Sequence, residues 1–310
     1  MLKYAIKKLL EVIPVLFAVA TMTFFMCRFA PGGPFDTDKR VPDEILKNLN
    51  EKYHLNDPLY KQYFDYMTGL LHGDFGPSFK YPGKSVSEII LTGLPVTAEL
   101  GFYALIVALV IGLAAGVNAA IKPNSLRDYA PMSAAMIGIC MPAFLLGPTL
   151  VLFFSIYLGW LPVSGWDSFA HKILPSITLG TAYAAYIARL SRSGMLEILS
   201  QDFIRTARAK GVSEAVVIIR HALRGGLTPV VSFLGPAITG LLSGSFVVET
   251  VFQIPGLGRF FVQGAFNRDY TMIMGTTIFL AGLILIMNAV SDAMLVWMNP
   301  RLSFGGKGGK

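Results

Sequence analysis

The apolar residues of this chain are concentrated in six long blocks, separated by polar segments of unequal length. A helix needs about 20 mostly apolar residues to cross the hydrocarbon core of a bilayer, and each block reaches or approaches that length. The pattern therefore predicts an all-α membrane protein with six transmembrane helices. The blocks cover residues 9–29, 97–121, 131–158, 173–190, 227–250 and 272–297.

Two of these blocks have unusual compositions. The fourth is rich in Ala, Ser, Thr and Gly, and small side chains let helix backbones approach closely. We therefore expect this helix to contact other helices more than lipid. The third contains Pro131, Pro142 and Pro148. Proline removes a backbone hydrogen bond and kinks a helix, and such kinks suit either a flexible gate or a fixed, packed bend.

The composition excludes an ordinary soluble domain. Hydrophobic residues make up 54% of the 310 residues and charged residues only 15%, a balance typical of membrane proteins. Cys27 and Cys140 both fall inside apolar blocks, so no structural disulfide is expected.

The distribution of Lys and Arg predicts orientation, because cytoplasmic loops of membrane proteins carry an excess of basic residues. With the N-terminus inside, the inner segments hold more than half of the 26 basic residues, which places both termini in the cytoplasm. The net charge of +7 then reports topology, and no nucleic-acid partner is expected. The inner basic residues are Lys3, Lys7, Lys8, Lys122, Arg127, Arg189, Arg192, Arg205, Arg208, Lys210, Arg220, Arg224, Arg301, Lys307 and Lys310.

These boundaries divide the chain into four parts. Residues 1–30 form the N-terminal tip and first span, and residues 31–95 form a small extracytoplasmic domain of helices and loops between spans one and two. Residues 96–298 form a core of five spans, which includes a basic cytoplasmic loop at 191–226. Residues 299–310 form a cytoplasmic tail.

The loop at 191–226, called the basic loop below, is too polar to cross a bilayer but is anchored by spans on both sides. Ser200 is expected to cap a helix that runs to about Lys210, with Gly211 at its end. A second helix is expected to start at Ser213 and to end near 225–226.

The first helix of the basic loop has an apolar side formed by Phe203, Ile204 and Ala207, with Arg205 and Arg208 beside it. A basic amphipathic helix of this kind often lies on lipid headgroups. It is equally suited to receive force from a soluble partner, and the pattern by itself leaves both interpretations open.

The sequence lacks the residue patterns of the common enzyme classes. Its four histidines are scattered singly, and Ser78 occupies the place where a phosphate-binding loop ending at Lys84 and Ser85 needs glycine. An intramembrane enzyme is therefore not expected. The ionisable residues near the apolar blocks lie close to span ends, which argues against an ion-coupled secondary carrier. They are Arg28, Glu99, Arg189, Glu249 and Asp292.

Several motifs along the chain resemble those of one transporter family, the B-type permease subunits of binding-protein-dependent ABC importers for oligopeptides and dipeptides. The resemblance covers nearly the whole length. It rests on RFAPGGP at 28–34, KYHLNDP at 52–58, GDFGPS at 73–78, FIRTARAKG at 203–211, ETVFQIPGLG at 249–258 and NRDY at 267–270.

The general signature of such permeases is Glu-Ala-Ala, three residues, Gly, nine residues and Ile-x-Leu-Pro. Only Ala207, Gly211 and Leu223 agree with it here, and Arg205 stands in place of the Glu. His221 and Arg224 occupy the places of the final Ile and Pro. The departures resemble the peptide-importer branch.

The resemblance implies a type I ABC importer fold in the inner membrane and a non-enzymatic subunit that forms half of a pore for short peptides. Import of nickel or another small solute by the same architecture is the alternative. Expected partners are a second homologous permease, two ATPase subunits or domains that bind ATP and Mg, an extracytoplasmic peptide-binding protein and the lipid bilayer. The resemblance assigns ATPase coupling to Phe203, Ile204, Arg205, Thr206, Ala207, Arg208, Ala209, Lys210, Gly211 and Leu223.

Overall fold

The computed structural model describes residues 2–30, 32–35 and 43–298. This part of the chain is helical, and its only extended pairing is an isolated antiparallel bridge between Pro77 and Ser85. Its residues fall into two compact units, one within 1–97 and 255–286 and the other within 98–254 and 287–298. The predicted charge at Asp292 and the tail at 299–310 lie outside the residues whose side chains are described.

The first unit contains four complete helices and parts of two longer ones. Its aromatic core is formed by Phe24, Phe35, Phe79 and Tyr270 together with Met274. The helices are α1 (Leu2–Phe29), α2 (Asp43–Lys52), α3 (Leu59–Leu71), the start of α4 (Val86–Ile121), α13 (Leu257–Phe266) and most of α14 (Tyr270–Met298).

The segment 31–95, expected as a separate small domain, shares this core. Tyr63 and Tyr66 of α3 pack against Phe24 of α1. About 65 residues bury too little apolar surface for a strong core of their own, so the segment packs its apolar side chains against neighbouring helices. Its location outside the membrane stays a prediction.

A buried carboxylate ties the loop after α3 to the start of α14. Asp269 accepts hydrogen bonds from Ser78 Oγ at 2.5 Å and from the Phe79 amide at 3.2 Å. It also accepts from the Met272 amide at 3.2 Å, which is the geometry of a helix N-cap. The NRDY motif therefore serves as a cap and a loop anchor within the first unit.

The second unit is built around one long helix, α7 (Phe169–Leu199). The remaining elements are the rest of α4, α5 (Leu126–Cys140), α6 (Ala143–Leu150) with π-helical turns at Val151–Tyr157, α8 (Asp202–Ala209), α9 (Glu214–Val216) with π-helical turns at Val217–Ala222, α10 (Leu223–Gly226), α11 (Thr228–Gly244) and α12 (Phe246–Val251).

The inner position of α7 confirms that the fourth apolar block faces other helices, since many of its small residues are buried. A Cβ on Gly112 of α4 would lie 2.6 Å from the Ala184 carbonyl oxygen of α7. Glu99 of α4 pairs with Lys172 of α7, and further along both helices the Gly112 carbonyl oxygen accepts from Ser191 Oγ at 3.5 Å. Residue numbers rise together along both helices, so α4 and α7 run parallel.

The third apolar block is broken rather than only kinked. The helix stops at Cys140 and restarts at Ala143 after a bend of 110°. Pro142 causes the break, because a proline pushes the preceding residue out of the helical region, and Met141 has φ −88° and ψ 112°. Pro131 and Pro148 lie inside α5 and α6 without ending them.

Within the described residues, four helices are long and apolar enough to cross a membrane, or five if the bent pair counts as one span. The four lie at Val12–Phe29, Val86–Ile121, Thr228–Val251 and Tyr270–Val290. The helix α7 is absent from this set; besides its Ser, Thr and Gly residues it carries Lys172, Arg189, Arg192 and Glu197, which lower its hydropathy.

The close contact of α4 and α7 gives a stability prediction. Gly112→Leu should destabilise the protein by about 1–3 kcal/mol, because the new side chain would overlap the α7 backbone. Ala114→Leu on the exposed side of α4 is the control and should leave the thermal midpoint nearly unchanged. Thermal unfolding in detergent checks both variants, and equal midpoints would show that the contact is loose.

Candidate functional site

The helix α7 continues into the predicted basic loop and ends at Leu199, so residues 191–199 are helical and the non-helical part of the loop starts at Ser200. Ser200 was expected to cap the next helix, and this prediction is wrong. Its hydroxyl donates back to the Glu197 carbonyl oxygen at 2.7 Å, while Gln201, in extended conformation, takes the N-cap position of α8. Ser200 therefore closes α7.

Ile204 anchors α8 to the neighbouring helices of the second unit. The Ile204 side chain is completely buried among Ala120 of α4, Met195 of α7 and Val217 and Ala222 of the following segment. This changes one predicted role. Ile204 cannot supply apolar contact to a partner, because its own chain already covers it.

The other residues assigned to coupling divide between the interior and the surface. Ala207 and Leu223 are partly buried against the same cluster. Phe203, next to Ile204 in sequence, is 50% exposed. The remaining six are exposed: Arg205, Thr206, Arg208, Ala209, Lys210 and Gly211.

The end of α8 is closed by the glycine that the sequence predicted. Gly211 has φ +79°, in the left-handed region that glycine adopts without penalty. Its amide donates to the Arg208 carbonyl oxygen at 3.0 Å, and the Val212 amide donates to that of Ala207 at 3.2 Å. These two bonds form a Schellman motif. Val212 and Ala207 pack against the same apolar cluster, a contact that often accompanies the motif.

An ion pair spans the turn that follows. Arg208 donates from Nε to Glu214 Oε2 at 3.1 Å and from Nη2 to Oε1 at 2.6 Å. The hydrogen bond from Arg208 holds the pKa of Glu214 below its ordinary value. The pair thus stabilises the turn at neutral pH and loses that contribution as the pH falls through the lowered pKa. Both side chains are exposed, so the contribution is small.

A second ion pair joins the last turns of α7, which belong to the predicted basic loop, to the start of α5. Arg192 donates from Nε to Asp128 Oδ1 at 2.6 Å and from Nη2 to Oδ2 at 2.7 Å. The Asp128 side chain is 2% exposed and also accepts from the Asn124 amide at 2.9 Å. Sequence reasoning missed Asp128, because its partner lies 64 residues away and no local pattern marks the pair.

Glycines bring α10 against α7. A Cβ on Gly194 would overlap the Gly226 carbonyl oxygen, and a Cβ on Gly225 would lie 2.9 Å from Cδ1 of Ile198. The far end of the basic loop is therefore packed closely on α7. The surface that remains outside carries Phe203, exposed basic side chains and Ile219, which is 65% exposed.

Comparison with known families matches almost the whole sequence. Residues 90–304 match the family described as binding-protein-dependent transport system inner membrane component, and residues 1–101 match the N-terminal region of the same kind of membrane component. The chain belongs to this family.

The curated relatives of this permease family include oligopeptide and dipeptide permeases. The oligopeptide transport system permease protein OppB of Haemophilus influenzae is 47% identical, over 98% of this chain and 100% of its own length. OppB of Escherichia coli K12 is 46% identical with the same coverage. The dipeptide transport system permease protein DppB of Bacillus subtilis is 41% identical over 99% and 100%. The resemblance drawn from the motifs is confirmed.

Solved structures support the fold. A chain of the inward-facing MetNI methionine ABC transporter has a TM-score of 0.56 at 19% identity, covering 67% of this chain and 94% of that chain. A chain from an amino acid ABC transporter crystallised with histidines has a TM-score of 0.52 at 17% identity, covering 69% and 94%. The permease therefore has the transmembrane fold of type I ABC importers.

The Schellman turn of the permease gives a second prediction. Gly211→Ala should weaken the end of α8 by about 1–2 kcal/mol, the cost of holding an L-residue in the left-handed region. No atom lies within 4 Å of the added Cβ, so the cost is conformational. Gly211→Asn should cost less, because asparagine tolerates this region better. Amide hydrogen exchange at Val212 measures the change, and equal exchange in all three proteins would contradict it.

The Asp128–Arg192 pair gives a third prediction. Asp128→Asn and Arg192→Gln should each lower the free energy of unfolding by about 1–3 kcal/mol, because each leaves a charged partner without its bonds. The double variant should lose less than the sum of the two. Arg127→Gln, an exposed neighbour, serves as control. Additive losses in the thermodynamic cycle would show that the two side chains act independently.

Proposed function

We propose that this chain is the transmembrane permease subunit of an ATP-driven, binding-protein-dependent importer and forms half of the translocation pore for short peptides. The full-length similarity to oligopeptide and dipeptide permeases is the observation that carries the proposal. The anchored basic loop agrees with it, because a subunit driven by a separate motor needs a rigid element at its surface.

The coupling element is α8 with the turn that follows. Buried Ile204 ties α8 to α4 and α7, so a force on α8 reaches both helices. Phe203 offers an exposed aromatic anchor, the residue type that dominates protein interfaces. Exposed Arg205 and Lys210 supply charge beside it. A groove on an ATPase subunit would receive this surface.

The proposed orientation places the basic loop in the cytoplasm. The Asp128–Arg192 pair joins the basic loop to the start of α5, so both lie at one end of the second unit, as the positive-inside pattern requires. The Glu99–Lys172 pair lies at the other end. We count α7 as the fourth of six spans, since it runs beside α4 between these two ends. Both termini are then cytoplasmic.

The proposed assembly contains a second homologous permease, two ATPase subunits or domains and an extracytoplasmic peptide-binding protein. ATP and Mg bind to the ATPases, and this chain contributes half of the translocation pore. A polar peptide needs a hydrated route between helices, because its backbone groups lose their hydrogen bonds in hydrocarbon. Two permease subunits enclose such a route between them.

Two adjacent residues test the coupling role separately from folding. Phe203→Asp should leave the fold intact but reduce ATPase co-purification and ATP-driven peptide uptake by at least roughly tenfold, because a charge replaces the exposed aromatic anchor. Ile204→Asp should instead lower the yield of folded protein, because it places a charge in a sealed apolar cluster. Co-purification and uptake into proteoliposomes measure both effects.

The control is Val163→Asp, which changes an equally exposed residue far from α8 in sequence and should leave ATPase binding intact. Unchanged uptake and co-purification with Phe203→Asp would contradict the proposed coupling role of α8. Nickel uptake in place of peptide uptake would favour the sibling function, and uptake by the chain alone with an ion gradient would favour a secondary carrier.

A further inference from the structure

A cavity of about 230 Å³ lies within the first unit. Residues of α1 and α3 line it, together with the loops that follow α2 and α3. A buried water needs only roughly 10–15 Å³ of such space, so the cavity has room for a molecule of several heavy atoms. Its apolar wall includes Phe24, Phe75 and Phe79.

Unsatisfied polar atoms are concentrated around this cavity. Four buried side-chain atoms in the described part of the chain have no hydrogen-bond partner. Three of the four, Arg28 Nε, Gln62 Oε1 and Tyr66 Oη, belong to residues that line the cavity. Buried polar atoms in folded proteins nearly always have partners. Three exceptions around one space point to a missing ligand with complementary groups.

The chemistry of the three atoms defines that ligand. Arg28 Nε is a donor on a positively charged group, whose Cζ lies 5.5 Å from the Phe24 ring centroid. Burial raises the pKa of the Tyr66 phenol, so Tyr66 stays protonated and can also donate. Gln62 is an acceptor here, because its Nε2 already donates to the Leu55 and Asp57 carbonyl oxygens at 3.0 and 2.7 Å.

We propose that this cavity binds a small carboxylate with an adjacent N–H group, the chemistry shared by a free amino acid and the C-terminal residue of a peptide. The carboxylate accepts from Arg28 and Tyr66, and the N–H group donates to Gln62. An apolar side chain of the ligand packs against the phenylalanines. The three atoms are sealed from solvent without ligand, so binding requires the groups that cover them to move aside. The site is separate from the coupling role of the basic loop.

Isothermal titration calorimetry on the full-length chain in lipid nanodiscs tests the site with three probes. N-acetylphenylalanine, which mimics a peptide C-terminus, should bind at least about tenfold more tightly than N-acetylphenylalanine amide, which lacks the charged carboxylate. Free phenylalanine distinguishes the two sources: equal binding indicates an amino acid site, and weaker binding a peptide C-terminus. Equal affinity for the acid and its amide, or no binding of either acid, would overturn the proposal.

Substitutions then locate the binding. Tyr66→Phe should weaken N-acetylphenylalanine binding by about tenfold. It should not lower the thermal midpoint of the ligand-free protein, since the hydroxyl has no partner to lose. Arg28→Gln should weaken binding further, and Lys84→Gln, which removes an exposed charge of the same unit outside the cavity, should not. Unchanged affinity in Tyr66→Phe counts against the site even if Arg28→Gln does not fold.

Discussion

Close backbone contact between α7 and its neighbours is the constraint on which the second unit depends. Lipid is as apolar as a leucine side chain, so burial of apolar surface does little to join helices in a bilayer, and packing has to do so. Gly112 brings α4 onto α7, and Gly194 brings the end of α10 onto it. Many of the α7 residues that these contacts bury are small, which is what allows the backbones to approach.

The basic loop is held in place by this packing. Its first residues, at the end of α7, are tied to α5 by the Asp128–Arg192 pair. Its middle is anchored by the buried Ile204 side chain, and its end packs on α7 at Gly226. Each of these anchors lies on or against a helix of the second unit. A short helix held only at its termini would dissipate an applied force in its own bending. A helix with its own side chain buried against neighbouring helices, as Ile204 of α8 is, transmits the force to them, which is the physical requirement for a coupling element.

Local chemistry decided which features could be predicted from the sequence. Gly211 was predictable, because a left-handed helix end selects glycine within a few residues of sequence. The apolar side of α8 was only partly predictable: Phe203 and Ile204 are equally apolar, and the surrounding helices decide which one is buried. Asp128 could not be found, since its partner is set by the tertiary packing of α5 on α7. The six-block pattern located the helices, but not the break at Met141, where the proline effect depends on how the flanking helices pack.

That break bears on whether the third apolar block is a flexible gate or a packed bend. Both flanks of the corner are held. A Cβ on Gly138, before the break, would lie 2.8 Å from Thr181 Cγ2, and a Cβ on Gly147, after it, would lie 3.2 Å from the Phe252 ring. A hinge that moved freely would leave at least one flank loosely packed. The packing favours a fixed corner, so movement of α5 in response to the basic loop would carry α6 with it and would have to displace α7 and α12 as well.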